Sequence, residues 1–234
     1  LPIIFLTAYG SIPDAVKAVK AGAVDYLAKP FDGRELVFKL RKVLEDNPRF
    51  ALAGDDDNGL LVDMENAVSP KMKELYGLVQ KVAQSDVNVL ILGESGVGKE
   101  RIARLIHRLS ARAKQPFVVV DCGSTPAGLL ESELFGHVRG AFTHAVNDKR
   151  GLIDTADKGT LFLDEIGNIS TEMQVRLLRF LEDRKIRRVG GNKALPVDTR
   201  IIAATQHDLK ERVAQGLFRE HLFHRVDLFR VTIP

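Results

Sequence analysis

The apolar run Val87-Asn88-Val89-Leu90-Ile91-Leu92, followed at once by Gly93-Glu94-Ser95-Gly96-Val97-Gly98-Lys99-Glu100, constrains this chain more than any other stretch. A continuous apolar segment bounded by glycine reads as a strand buried on both faces, the habit of parallel sheets. Glycines at this spacing let successive backbone N–H groups turn inward around an anion. The helix that follows adds positive potential, and Lys99 is long enough to reach outer phosphates. A glycine-rich turn with a surface lysine is the bland alternative, and the strand–loop–helix context argues against it. Glu100 stands where Ser or Thr usually ligates Mg²⁺, so holding that cation falls to an acidic group elsewhere and to water.

That group is found at the end of a second apolar strand, Gly159-Thr160-Leu161-Phe162-Leu163-Asp164-Glu165. Ligands bind at the carboxyl ends of parallel strands, so two acids emerging there face the phosphates. Asp164 is the expected Mg²⁺ ligand and Glu165 the group that polarises an attacking water, which makes ATP hydrolysis the expected reaction. An Asp-Glu pair alone would read as a solvated strand end.

The chain has 234 residues, 45% of them hydrophobic, and 34 Lys+Arg against 31 Asp+Glu, a formal charge of +3. No apolar run approaches the roughly 18–20 residues that cross a bilayer. Cys122 is the single cysteine, which precludes an internal disulfide. His107, His137, His207, His221 and His224 show no ligand spacing, so no metal site of their own is expected. The expected setting is the cytoplasm. The opening Leu1 and closing Pro234 suggest a fragment cut at both ends.

Residues 1–7 and 23–28 read as short strands, residues 13–22 as a helix, and Asp32 as the cap of a helix carrying Leu36, Val37, Leu40, Val43 and Leu44. This βαβα piece, residues 1–46, is too small for a free-standing core. The Gly/Asp-rich residues 47–59 read as a linker. From residue 60 helices (71–83, 100–113, 171–183) alternate with strands (87–92, 117–120, 159–163, 199–204), the pattern of a parallel sheet covered on both faces.

Together these motifs resemble the sigma-54-dependent, NtrC-like transcription activators. The resemblance implies an α/β architecture: an AAA+ P-loop NTPase core (60–234), its lid and DNA-binding domain missing, behind a partial flavodoxin-like receiver domain. Its most specific piece is Glu131-Ser132-Glu133-Leu134-Phe135-Gly136-His137 followed by Gly140-Ala141-Phe142-Thr143-His144-Ala145. The family's matching loop ends Gly-Ala-Phe-Thr-Gly-Ala, and the resemblance implies that these residues contact sigma-54 RNA polymerase. Read without the family, an aromatic among small residues is a plausible partner anchor, with a buried Phe142 the alternative. His144 replaces a glycine, from which altered sigma-54 engagement is expected.

Arg219 and Arg225 match the segment that supplies arginine fingers to a neighbouring subunit, which implies a hexameric or heptameric ring closed by head-to-tail contacts. If that segment is helical, the two share broadly similar faces. Thr205 and Gln206 end the strand that matches the family's sensor, near the γ-phosphate. Asp121 stands where the family carries an Asn that restrains the catalytic glutamate, so repulsion of Glu165 is expected unless one acid is protonated. In the receiver piece, Thr7 and Lys29 match the hydroxyl and lysine that respond to aspartyl phosphate, the phosphoaccepting aspartate lying upstream. The implied cofactors are ATP and Mg²⁺; the implied partners are a sensor histidine kinase, sigma-54 polymerase, other copies of the chain, and enhancer DNA through a domain beyond residue 234. No membrane partner is expected. Two rivals stand beside this reading: an ATP-binding regulatory module with lost or altered sigma-54 engagement, and a small-molecule phosphate-loop kinase.

Overall fold

A computed structural model describes residues 4–7, 25–28, 69–143 and 145–234. The helices expected at 13–22 and after Asp32, the linker at 47–59, Lys29 and His144 lie outside the described residues. The chain divides into two compact units, 1–59 and 60–234.

In the first unit, strand β1 (Ile4–Thr7) pairs in parallel with β2 (Asp25–Ala28), Thr7 lying opposite Ala28. Parallel neighbours require a crossover connection, as the βαβ reading supposes. The register sets Thr7 at the carboxyl end of β1, level with the residue before Lys29.

The second unit is built on a five-stranded sheet in the order β11-β3-β10-β7-β4. These strands are β3 (Val89–Leu92), β4 (Phe117–Asp121), β7 (Thr160–Asp164), β10 (Arg200–Thr205) and β11 (Phe229–Thr232). Every pairing among them is parallel. Alternate side chains leave a strand on opposite faces, which explains the unbroken apolar runs. Val89, Ile91, Phe162 and Ile202 point to one face, where they meet Leu75, Val79 and Val82 of α1 (Pro70–Ala83) and Ile102, Leu105 and Ile106 of α2 (Lys99–Arg108). Leu90, Leu161, Leu163 and Ile201 point to the other. There they join α3 (Ala127–Phe135), the short α4 (Leu152–Thr155), α5 (Thr171–Asp183) and α7 (Glu220–Val226), which follows α6 (Leu209–Ala214).

Small polar groups set the helix ends. Ser170 Oγ accepts the Met173 N–H to start α5, and the Asp208 carboxylate accepts from Lys210 and Glu211 to start α6. Helix α2 stops at Arg108, earlier than its sequence suggests, because Ser110 Oγ donates to His107 O at 2.6 Å and accepts the Arg112 N–H. The fully buried Arg200 donates to Val82 O and Ala83 O, satisfying carbonyls at the end of α1.

Two small hairpins complete the unit. β5 (Gly136–His137) pairs with β6 (Lys149–Arg150), and β8 (Lys185–Arg187) with β9 (Ala194–Pro196). No helix among the described residues is long and apolar enough to cross a membrane.

Candidate nucleotide site

Strand register gathers the candidate residues at the carboxyl ends of the strands. Leu92, which precedes the glycine-rich loop, lies opposite Thr205, and Asp164 lies opposite Asp121. The loop then turns from β3 into α2 through Gly96 and Gly98 at φ of 81° and 91°, a backbone region where a side chain would be strained. Lys99, the first residue of α2, is buried and folds back over the loop: its Nζ donates to Gly93 O and Glu94 O, both at 3.1 Å.

The third partner of Lys99 is Glu165, whose Oε1 lies 3.1 Å from Nζ. Glu165 has left the strand, at φ 50°, so its carboxylate turns toward the loop rather than along β7. The Gln206 N–H reaches its other oxygen at 3.5 Å. Asp164 is half-buried and its Oδ1 accepts the Glu165 N–H; burial pushes its carboxyl above the usual carboxylate range. A dication beside it would favour the ionised form. Glu100 is ion-paired with Arg104 one turn along α2 and accepts its Nε–H. Asp164 is a group that could hold Mg²⁺, with phosphate and water as co-ligands.

Asp121 does not contest Glu165. Its carboxylate accepts the Gly123 and Ser124 N–H groups and the Ser124 hydroxyl, and these bonds, that of Ser124 first, hold it below the usual range. Its own turn thus favours the ionised Asp121, while Lys99 pairs with Glu165. The turn nevertheless lies close by, since a Cβ on Gly123 would sit 3.2 Å from Glu165 Cβ.

Thr205 is brought to these strand ends, but its hydroxyl is fully buried and accepts the His207 N–H. Its contact with the loop runs through its carbonyl, which receives the Gly93 N–H. Gln206, the next residue, is exposed there.

Arg219 and Arg225 do not share one helix. Arg219 is the extended residue before α7, and Arg225 lies in its last turn. Both are exposed, and Arg225 lies 3.8 Å from Glu182. The segment is fixed by Gln174, which sequence reasoning passed over as one polar residue of a helix. Gln174 is 1% exposed, donates to Ile169 O and Leu217 O, and accepts the Arg219 N–H at 2.8 Å.

Two further features escaped the sequence. A cavity of about 250 Å³ opens beside the loop, lined by Met72, Tyr76, Val97, Gly98, Arg101 and Ile233 among others. Met72 and Tyr76 belong to the apolar stripe of α1, which carried no sign that part of it lines a cleft. The loop at Gly140 to Ala145 is closed by Gly140 N–H to Ala145 O and Ala145 N–H to Phe142 O. Phe142 is 44% exposed at its tip, which excludes the buried alternative.

A glycine-rich loop between strand and helix, a lysine over it and an acidic pair at the end of β7, separated from β3 by β10, define a P-loop nucleotide-binding fold. Comparison with known proteins places the chain further. The family described as "Sigma-54 interaction domain" matches residues 66–232, and "Response regulator receiver domain" matches residues 1–41. The chain belongs to the sigma-54 interaction family and is NtrC-like. It is 44% identical over 246 residues to the transcriptional regulatory protein ZraR of Klebsiella oxytoca, covering 100% of this chain and 53% of that protein. With the DNA-binding transcriptional regulator NtrC of Salmonella typhimurium it shares 44% identity over 239 residues, covering 100% and 50%. The crystal structure of NtrX from Brucella abortus in complex with ATP superposes with a TM-score of 0.67 at 34% identity, covering 100% of this chain and 50% of that one. The chain thus spans about half the length of the curated relatives it matches.

Proposed function

We propose that this chain binds ATP with Mg²⁺ and hydrolyses it, as the motor and part of the control region of a two-component activator acting on sigma-54 RNA polymerase. The observation that carries the reading is the convergence of Lys99, Asp164 and Glu165 at the mouth of the glycine-rich loop. Phosphate oxygens would replace the Gly93 and Glu94 carbonyls as partners of Lys99. Mg²⁺ held at Asp164 would offset charge on the phosphates. Glu165, released from Lys99 by that exchange, is placed to accept a proton from water. The 250 Å³ cavity, with Met72 and Ile233 on its wall, suits the nucleobase.

Arg219 and Arg225 face solvent, as fingers offered to a neighbouring subunit must, and the reading therefore requires a ring. The exposed Phe142, on a closed loop away from the sheet, suits a partner anchor. The receiver piece, with Thr7 at a strand end opposite Ala28, the residue before Lys29, would carry the input from a sensor kinase, and enhancer DNA would be a further partner of the activator. The test is nucleotide-dependent capture of sigma-54 by the full-length protein. Phe142→Ala should lose capture by at least tenfold, on the order of one anchor residue; undiminished capture would overturn the partner assignment.

A further inference from the structure

Phe142 is exposed, yet its ring is not left free. The His137 ring stands against it with centroids 4.9 Å apart and planes inclined by 68°, an edge-to-face pair. His137 is itself held. It sits in β5 opposite Lys149, it bridges to Val189, and its Nδ1 lies 2.7 Å from Ser132 Oγ. Ser132 is buried in α3, 5% exposed, so this hydrogen bond anchors the imidazole to the body of the domain. The base of the loop is held on its other side, where Val138 N–H donates to Val189 O and Val189 N–H to Gly136 O. The backbone of residues 136–138 is thereby fixed independently of His137's side chain. What its ring adds is the orientation of Phe142.

We propose that His137 is a positioning residue: its ring seats Phe142, and its bond to Ser132 makes the pose of the loop tip depend on α3. This deepens the reading of Phe142 as the partner anchor and rests on it only for the purpose served. Helix α3 is an apt element for such dependence, because the turn that precedes it, at Asp121 and Gly123, packs against Glu165. An anchor seated in one pose spends less conformational freedom on binding than one that samples several.

The protein contains no tryptophan, so Phe142→Trp creates a single emitter at the loop tip. In that background, acrylamide quenching and emission anisotropy report how firmly residue 142 is seated, with no partner present. His137→Gln, which removes the aromatic edge, should lower the ratio of seated to free pose by about two- to tenfold, the range of an aromatic pair, and be read as faster quenching and lower anisotropy. Ser132→Ala should shift both signals the same way, and His137→Tyr, which keeps an aromatic ring without the bond to Ser132, should fall between the parent and His137→Gln. Equal signals in all four proteins would overturn the proposal, and so would a His137→Tyr protein seated no more firmly than His137→Gln. If His137→Gln does not fold, Ser132→Ala decides: an unchanged signal overturns the proposal, and loosening supports it. Sigma-54 capture by Phe142→Ala is read separately, so a lost partner assignment with an intact His137 effect is told apart from the reverse.

Discussion

Gln174 offers the sharpest test of how the segment carrying Arg219 is held. Gln174→Leu keeps the volume and removes all three hydrogen bonds, leaving Ile169 O, Leu217 O and the Arg219 N–H without their partner. A buried polar group left unpaired costs about 1–3 kcal/mol. Ile169 O is left in the buried interior, while Leu217 O and the Arg219 N–H are part-buried and regain some of the cost from water. Allowing for the apolar surface that leucine gains, the net loss is about 2–4 kcal/mol. With a urea slope of about 2–3 kcal/mol per molar for a unit of this size, the midpoint should fall by about 1 M. Urea unfolding followed by circular dichroism measures it. A fall below about 0.3 M would refute the claim that Gln174 organises this segment.

Acid should unfold the protein in two stages. Burial lowers the His107 pKa below 6.5, so the stability it confers as neutral imidazole is complete above that pH and is lost as pH falls through its folded value. His107→Phe should flatten this first stage in urea midpoints measured from pH 7 to 5. Asp86 and Asp198, held below 3.8 chiefly by hydrogen bonds from Arg112, contribute stability that is whole above that value and lost beneath it. Arg112→Ala should blunt the stage below pH 4 and leave the first unchanged. Burial pushes the Cys122 thiol up to about 12, so iodoacetamide at pH 8 should label it only after unfolding; rapid native labelling, followed by mass spectrometry, would contradict its placement.

Much of the second unit is legible in the sequence because its signals are local. The glycine-lysine spacing and the apolar strands each state their structure within a few residues, and α5 runs from Thr171 to Asp183 as its pattern predicts. The rest depends on contacts distant in sequence. Ser110 ends α2 by taking over backbone bonding, which no apolar periodicity records. Gln174 reads as any polar helix residue until Leu217 and Arg219 are folded onto it. Lys99 and Glu165 are each recognisable, but their ion pair follows from the left-handed turn at Glu165, a conformation that glutamate does not advertise. Thr205 is placed by its strand as the pattern predicts, but the bond its hydroxyl accepts from the His207 N–H belongs to the next turn and has no signal in the strand.

The central claim is that Lys99 binds phosphate and Glu165 activates water, and ATP binding measured alongside ATP turnover in Lys99→Ala and Glu165→Gln tests it most directly. Lys99→Ala should lose nucleotide binding and turnover together. Glu165→Gln should retain binding, since the released lysine remains available to phosphate, while turnover falls by about 100-fold or more, the scale of a general base. Hydrolysis at the parental rate in Glu165→Gln, or ATP binding unchanged in Lys99→Ala, would contradict the account.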